Sequence, residues 1–314
     1  MPLPRCEIVP LAQREVSFLI DGVEVTRWNF GDHLPRPCFF PLNGPDSKRS
    51  LTRMGHPGAP NHDHHASVWF AHHKLLGIDF WGISATAIIR QSTWQVYADG
   101  DEAAVMAVQL HWLDGHDPTP LVEQQLIATL RPLDDGEYTL SLESTFTPRA
   151  ASIEFQQTNF GFLAVRVAKS LSVHFGGGQL TNSEEAQGEP ALFGQPARWV
   201  DYSGPMPVTD SDGSRDEQIE GITYFDHPEN VGYPHKWHVR ADGWMGASIC
   251  FDGPIIITPE APLHLRHLLH IHRGPVAADR ANKLQKEWSA RPAQRVIKSP
   301  APHHQFEVVD AVDR

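Results

Sequence analysis

Five histidines, His62, His64, His65, His72 and His73, fall within twelve residues, beside Asp63 and Trp69. Histidine is the side chain whose ordinary pKa lies near neutrality, so such a cluster can ligate a metal, polarise a substrate or pass protons. Three readings compete. His62 and His64 have the H-x-H spacing of many metal sites, but no Glu follows about five residues on, where Val68, Trp69 and Phe70 stand instead. The second reading places the imidazoles against a polar substrate, and the third is a polar loop with no chemistry. If Val68–His73 is a strand, His73 shares a face with Trp69 and His72 shares the other with Phe70. His62, His64 and His65 then lie on a loop at the sheet rim, where loops commonly present binding groups.

Other constellations lie along the chain. His264, His267, His270 and His272 lie in one strand-like run, with His267 on the face of Leu265, Leu269 and Ile271 and the others opposite. That face reads first as a polar surface. His227 lies in Asp226-His227-Pro228-Glu229-Asn230, followed by Trp237-His238-Val239-Arg240, and Trp199 opens Trp199-Val200-Asp201-Tyr202. Aromatic rings beside Asp, Asn, His and Arg suit a sugar, whose C–H face stacks on indole while its hydroxyls need donors and acceptors. Among carboxylates, Glu123 in Leu121–Leu126 could point into a cleft and serve as acid or base, and Asp79 and Asp63 adjoin the histidines. The chain has no G-x-S-x-G, P-loop, H-E-x-x-H or G-x-G-x-x-G motif, which argues against nucleotide-driven chemistry.

The elements around these groups read as strands. Asp21-Gly22 between Glu15–Ile20 and Val23–Thr26 is a hairpin signal. Strand signals recur over residues 86–165, with Asp99-Gly100, Asp114-Gly115 and Asp135-Gly136 as turns, which is the rhythm of an antiparallel sandwich or barrel. Residues 176–221 read as a long loop, strands resume from Ile222 to Ile271, and Val276–Ser289 has a helical composition. The expectation is one all-β domain, an antiparallel β-sandwich over residues 1–292 with one C-terminal helix, followed by a peripheral tail, 293–314.

With 26 Lys+Arg against 38 Asp+Glu, the net charge is −12, which disfavours nucleic acid or an anionic membrane as partner. No apolar run is long enough to span a bilayer and no secretory signal is read, so a cytoplasmic location is expected. Three widely spaced cysteines, Cys6, Cys38 and Cys250, give neither a zinc knuckle nor a redox pair.

Taken in order, Pro41–Pro45, His62-Asp63-His64-His65, Trp69-Phe70-Ala71-His72 and Gly77-Ile78-Asp79-Phe80-Trp81 resemble the PmoA-like family, a label borrowed from methane oxygenase. Later matches include Glu123, Asn159–Arg166, Trp199–Tyr202, Asp226–Asn230 and Trp237–Arg240, so the resemblance spans roughly residues 35–275. Asn61 stands where Asp is common, and Ala66-Ser67 replace the usual Arg-Gly. The resemblance implies a sandwich similar to the galactose-mutarotase supersandwich, and an activity like that of glycosidases that remove deoxysugars from natural products such as the lobophorins. His64, His65, His72, Glu123, Arg166, His227 and His238 stand on its motif positions.

The resulting expectation is a glycoside hydrolase without metal or cofactor that acts on a small-molecule glycoside. Glu123 or Asp79 would be the carboxylate acid or base, and His64 and His65 would position or protonate the glycosidic oxygen. His62, Asp63, Trp69, His72, Asn159, Arg166, Trp199, His227, Trp237 and His238 would bind substrate. The alternatives are a sugar mutarotase or epimerase, a metal-dependent oxygenase using His62, His64 and a distant histidine, and a non-catalytic carbohydrate-binding module.

Overall fold

Residues 3–56, 62–83, 86–209 and 215–311 are described by a computed structural model. Two eight-stranded antiparallel sheets face each other across one continuous apolar core. In the first sheet the order runs Cys6–Leu11, Glu15–Ile20, Val23–Asn29, Cys38–Leu42, Val68–Ala71, Phe162–Arg166, Trp244–Ala247 and Trp237–Arg240. In the second it runs Gln179–Asn182, Trp199–Thr209, Arg215–Asp226, Leu263–Arg273, Tyr138–Pro148, Val122–Pro132, Ala104–Leu113 and Ile88–Ala98. This is the expected all-β antiparallel sandwich. Among the described residues no helix is long and apolar enough to cross a membrane.

Local chemistry explains the elements. Asp21 and Gly22 adopt φ of 50° and 77°, the left-handed pair that a tight hairpin needs, and Ile20 pairs with Val23. Period-2 alternation sends one set of side chains inward. Val68, Phe70, Leu163, Val165, Val239, Met245 and Ala247 of the first sheet meet Leu126, Leu140, Leu142, Phe146, Leu265 and Leu269 of the second. His267 goes inward with Leu265 and Leu269, as the strand reading expects, and is fully buried.

The structure departs from the sequence reading in two places, the long loop and the polar strand face, and adds detail to the tail. The long loop read over 176–221 is largely a strand pair, Trp199–Thr209 against Arg215–Asp226, with a short strand Gln179–Asn182 alongside. Glycines and prolines hid this pattern. Pro205 and Pro207 fit because the Gln179–Asn182 neighbour ends opposite Ser203, leaving that edge without a partner that needs their N–H. The tail, expected only as peripheral, has regular structure of its own. Gln294–Lys298 and Phe306–Asp310 pair, and Val296, Phe306 and Val308 cover Val96, Ala107 and Ile127 on the outside of the second sheet. The polar face of the Leu263–Arg273 strand is not a free surface either. His270 is bonded to Glu137 at 2.7 Å and His272 to Asp201 at 2.8 Å, both buried. The helix Ala278–Ser289 forms as expected, laying Ala281 and Trp288 over Trp199, Phe225 and Leu268.

Phe146 sits at the centre of the core, fully buried against Phe70, Trp112, Phe155 and Phe162. Phe146→Ala is expected to cost about 3–5 kcal/mol of unfolding free energy, read from denaturant titrations. A loss below about 1 kcal/mol would contradict the packing described.

Candidate active site

The outer face of the first sheet, turned away from the core, carries the histidine-rich surface. One row of paired Cα positions crosses five strands: Cys38, Trp69, Ala164, Gly246 and His238. Between Trp69 and His238 the row holds only the small residues Ala164 and Gly246. A side chain at Gly246 would press on the Leu163 carbonyl at 3.1 Å and the Trp244 ring at 3.2 Å. Its absence lets the Trp244 indole lie against the His238 ring, with centroids 4.2 Å apart. Trp244 and Arg166 form the next pair along the same face.

A floor of aromatic rings results. Trp81 touches Trp69, Phe160 and Trp244 at centroid distances of 5.3, 4.8 and 5.7 Å. The His62–His65 loop packs on this floor. His65 is buried and stacked between Trp69 at 5.3 Å and His62 at 5.1 Å, while His64 meets His65 edge-on at 4.5 Å. The loop is held from below. The buried Arg36 guanidinium donates to the carbonyls of His64 and Gly82, and the Gly55 N–H donates to the His65 carbonyl. His62, His65 and Trp69 are thus stacked face to face. Among the described residues no group of three His, Cys, Asp or Glu is placed to hold a metal.

Two imidazoles border Phe160, His73 at 5.2 Å and His238 at 5.8 Å between centroids. His238 donates from Nδ1 to the Asn159 carbonyl at 2.9 Å, so in the neutral ring Nε2 carries the lone pair. Burial pushes His238 down to about 4, and that ring is neutral at pH 7. His73 instead has Nδ1 3.2 Å from the Asp79 carboxylate. Burial pulls Asp79 upward, but N–H bonds from Gly82 and Trp81 and the contact with His73 outweigh it and hold the carboxyl below its ordinary value.

Beyond His62 lies a basic corner. His56 rests 5.7 Å from the His62 ring and 5.1 Å from Phe175. Its Nδ1 accepts from Nη2 of Arg53 at 2.9 Å and from Nη2 of Arg166. Arg166, wholly buried, donates from Nη1 to Asp242 Oδ1 at 3.0 Å, and Arg53 donates to the Asp242 carbonyl. Burial, then the two guanidinium charges, push the His56 pKa down, so it is a neutral acceptor.

Of the residues picked from the sequence, His62, His64, His65, Trp69, Asp79, Arg166 and His238 meet here. Asp63 is an exposed member of the same loop, and Asn159 contributes its backbone carbonyl. Five do not. Glu123 lies on the second sheet, on its face away from the core, beside His111 at 4.0 Å and Arg149 at 3.6 Å. Strand alternation sends Val122 and Gln124 inward and Glu123 out, with the whole core between it and His65. His72 turns inward by the same rule and packs against Phe155 and Phe162. Trp237 faces the core beside Tyr224, and Trp199 lies under the C-terminal helix. His227 is buried against Trp288, also beneath that helix. Burial and then the charge of neighbouring His64 push the His65 pKa far down, which favours a neutral ring that positions over one that donates a proton. Asn61 lies outside the described residues.

Sequence reasoning missed Arg36, Arg53, His56, Phe160, Asp242 and Trp244 as site residues. His73 was legible in principle, since the alternation that excludes His72 puts it on the face of Trp69, and Trp81 stood within a motif already singled out.

The His238 geometry has a direct spectroscopic consequence. Its ¹⁵N signals, assigned by their loss in His238→Gln, should report the neutral Nδ1–H tautomer from about pH 8 down to about pH 5. A midpoint near 6.5 would contradict the assignment.

No curated protein matches the chain. Among solved structures it is similar to a GalM/aldose epimerase homologue from C. elegans, at 9% identity and a TM-score of 0.35, with 86% of this chain and 99% of that one covered. It is also similar to a 4-alpha-glucanotransferase from Thermococcus litoralis, at 9% identity and a TM-score of 0.29, covering 87% of this chain and 40% of that one. The model of a family of unknown function, DUF6807, matches residues 15–286, and the chain belongs to that family.

Proposed function

We propose that the outer face of the first sheet binds a sugar ring and that the chain is an enzyme moving protons at its anomeric centre. The observation carrying this reading is the pair of imidazoles around Phe160, each anchored at Nδ1 but by opposite kinds of partner. His238 leans on a neutral carbonyl and is kept uncharged, which suits a base. His73 leans on a carboxylate, which fixes the orientation of its ring, as a proton donor to the sugar needs. Pairs of titratable groups in contrasting environments are how one site runs acid and base chemistry together.

In this reading the sugar's C–H face lies on Trp81, Phe160 and Trp244, where an aromatic floor gives area without hydrogen-bond demands. His238 Nε2 takes the proton from the anomeric hydroxyl. The C1–O1 bond gains its second order, the C1–O5 bond breaks, and His73 delivers a proton to O5. Rotation about C1–C2 and the reverse steps return the ring with either anomeric configuration. Asp79 keeps an acid-base role at one remove, through His73, while Glu123 has none.

Glycoside hydrolysis is the second reading. It is favoured by an open groove of about 750 Å³ bordered by Phe175, Lys169, Pro205 and Met206. Phe175 also touches His56, so the groove adjoins the site and offers room for a group attached to the sugar. There His73 would protonate the leaving oxygen and His238 would activate water.

Polarimetry on freshly dissolved aldoses, run beside assays for sugar released from a glycoside panel, separates the two. His238→Ala is expected to lower kcat by about 10²–10⁴-fold and Trp81→Ala chiefly to raise KM. Wild-type protein that neither speeds anomer exchange nor releases sugar would sink the proposal.

A further inference from the structure

We infer that the sugar bound here is an acid sugar, with a carboxylate as in a uronic acid, and that Arg53 receives that carboxylate. The inference rests on the sugar reading above and adds the substrate's charge.

The argument is one of charge balance in the basic corner. Arg53 and Arg166 converge on a single neutral acceptor, His56 Nδ1, which has one lone pair for two N–H donors. Among the described residues Asp242 is the one carboxylate bonded to the group, and its side-chain oxygens go to Arg166, leaving Arg53 only the Asp242 backbone carbonyl. Two guanidinium charges therefore face one carboxylate among the described residues. The Nε atoms of both arginines are buried and have no hydrogen-bond partner there. Residues 57–61, which join His56 to the histidine loop, are Pro-Gly-Ala-Pro-Asn and bring no ionisable side chain.

An uncompensated guanidinium out of water is costly, and proteins keep such an arrangement where a ligand completes it. The planar fork of arginine matches a carboxylate with two parallel bonds. One missing negative charge fits a carboxylate better than a phosphate ester, which carries about −1.5 to −2 near neutrality. The corner is also joined to the floor by ring contacts. His56 contacts His62, His62 stacks on His65, and His65 stacks on Trp69. Arg166 is wholly buried, whereas Arg53 is only partly so, which makes Arg53 the arginine that meets the ligand. Such a corner is notable in a chain of net charge −12, whose overall field repels acids.

The test is calorimetric titration of the full chain with glucuronate, galacturonate, glucose, galactose and glucose 6-phosphate at low and high salt. The uronates should bind about tenfold or more tighter than the matching neutral sugars, and the gap should narrow as salt rises. Arg53→Gln should lower uronate affinity about tenfold or more and so erase that gap, and Arg53→Lys should restore part of it. If Arg53→Gln does not fold, the Lys variant and the salt series still decide the question. Equal binding of uronates and neutral sugars overturns the inference and leaves the sugar site standing. A stronger preference for glucose 6-phosphate overturns the carboxylate assignment. If none of the five binds, the sugar reading falls, and this inference with it.

Discussion

The constraint on which the rest depends is that each strand of the first sheet must serve two faces. Val68 and Phe70 fill the core while Trp69 between them builds the floor. The same division runs through Leu163, Ala164 and Val165, and through Met245, Gly246 and Ala247. A slip of one residue in any of these strands would exchange the two sets, putting an apolar row in water and imidazoles in the core. Burial of the inward set therefore sets the register, and the register places Trp69, His238, Trp244 and Arg166 side by side. The site has no scaffold of its own; it is the reverse side of the core.

That dependence explains what was legible beforehand. Alternation, turn dipeptides and the absence of helical periodicity pointed to an antiparallel sandwich, and the dense histidine run pointed to the loop that covers the floor. Face assignments within one strand were sound, as His73 against His72 and His267 among its leucines illustrate. What failed were groupings across strands. Glu123 and Trp199 have suitable chemistry but belong to the other sheet, and nothing in a strand's own pattern tells which sheet it joins. Trp237 and His238 are neighbours whose choice of face depends on their register against the Trp244–Ala247 strand, and that choice is made by tertiary packing. The basic corner was missed as a group because Arg53 and His56, Arg166, and Asp242 come from three separate segments; Arg166 was picked out alone, and the other three singly look like ordinary surface residues.

The electrostatics of the site follow from burial more than from its list of residues. A cluster of histidines suggests a reservoir of protons, yet His56, His65 and His238 are all pushed toward the neutral form. Arginines surround them and are themselves costly to bury, Arg36 and Arg53 being pulled down to about 10. These three histidines are thus uncharged rings, edged by permanent cations and by two carboxylates, Asp79 and Asp242. Such an environment favours polar, hydroxyl-bearing ligands whose protons can be exchanged one at a time.

Arg36 ties two parts of this face that are far apart in the chain, since one guanidinium grips both the His64 and the Gly82 carbonyls. Trp81, next to Gly82, is the ring at the centre of the floor. The two loops are therefore mechanically yoked: pressure on the indole is passed through a rigid planar fork to the imidazole loop above it. Walls joined in this way shift as a pair, so the width of the cleft resists change even where its individual loops can give.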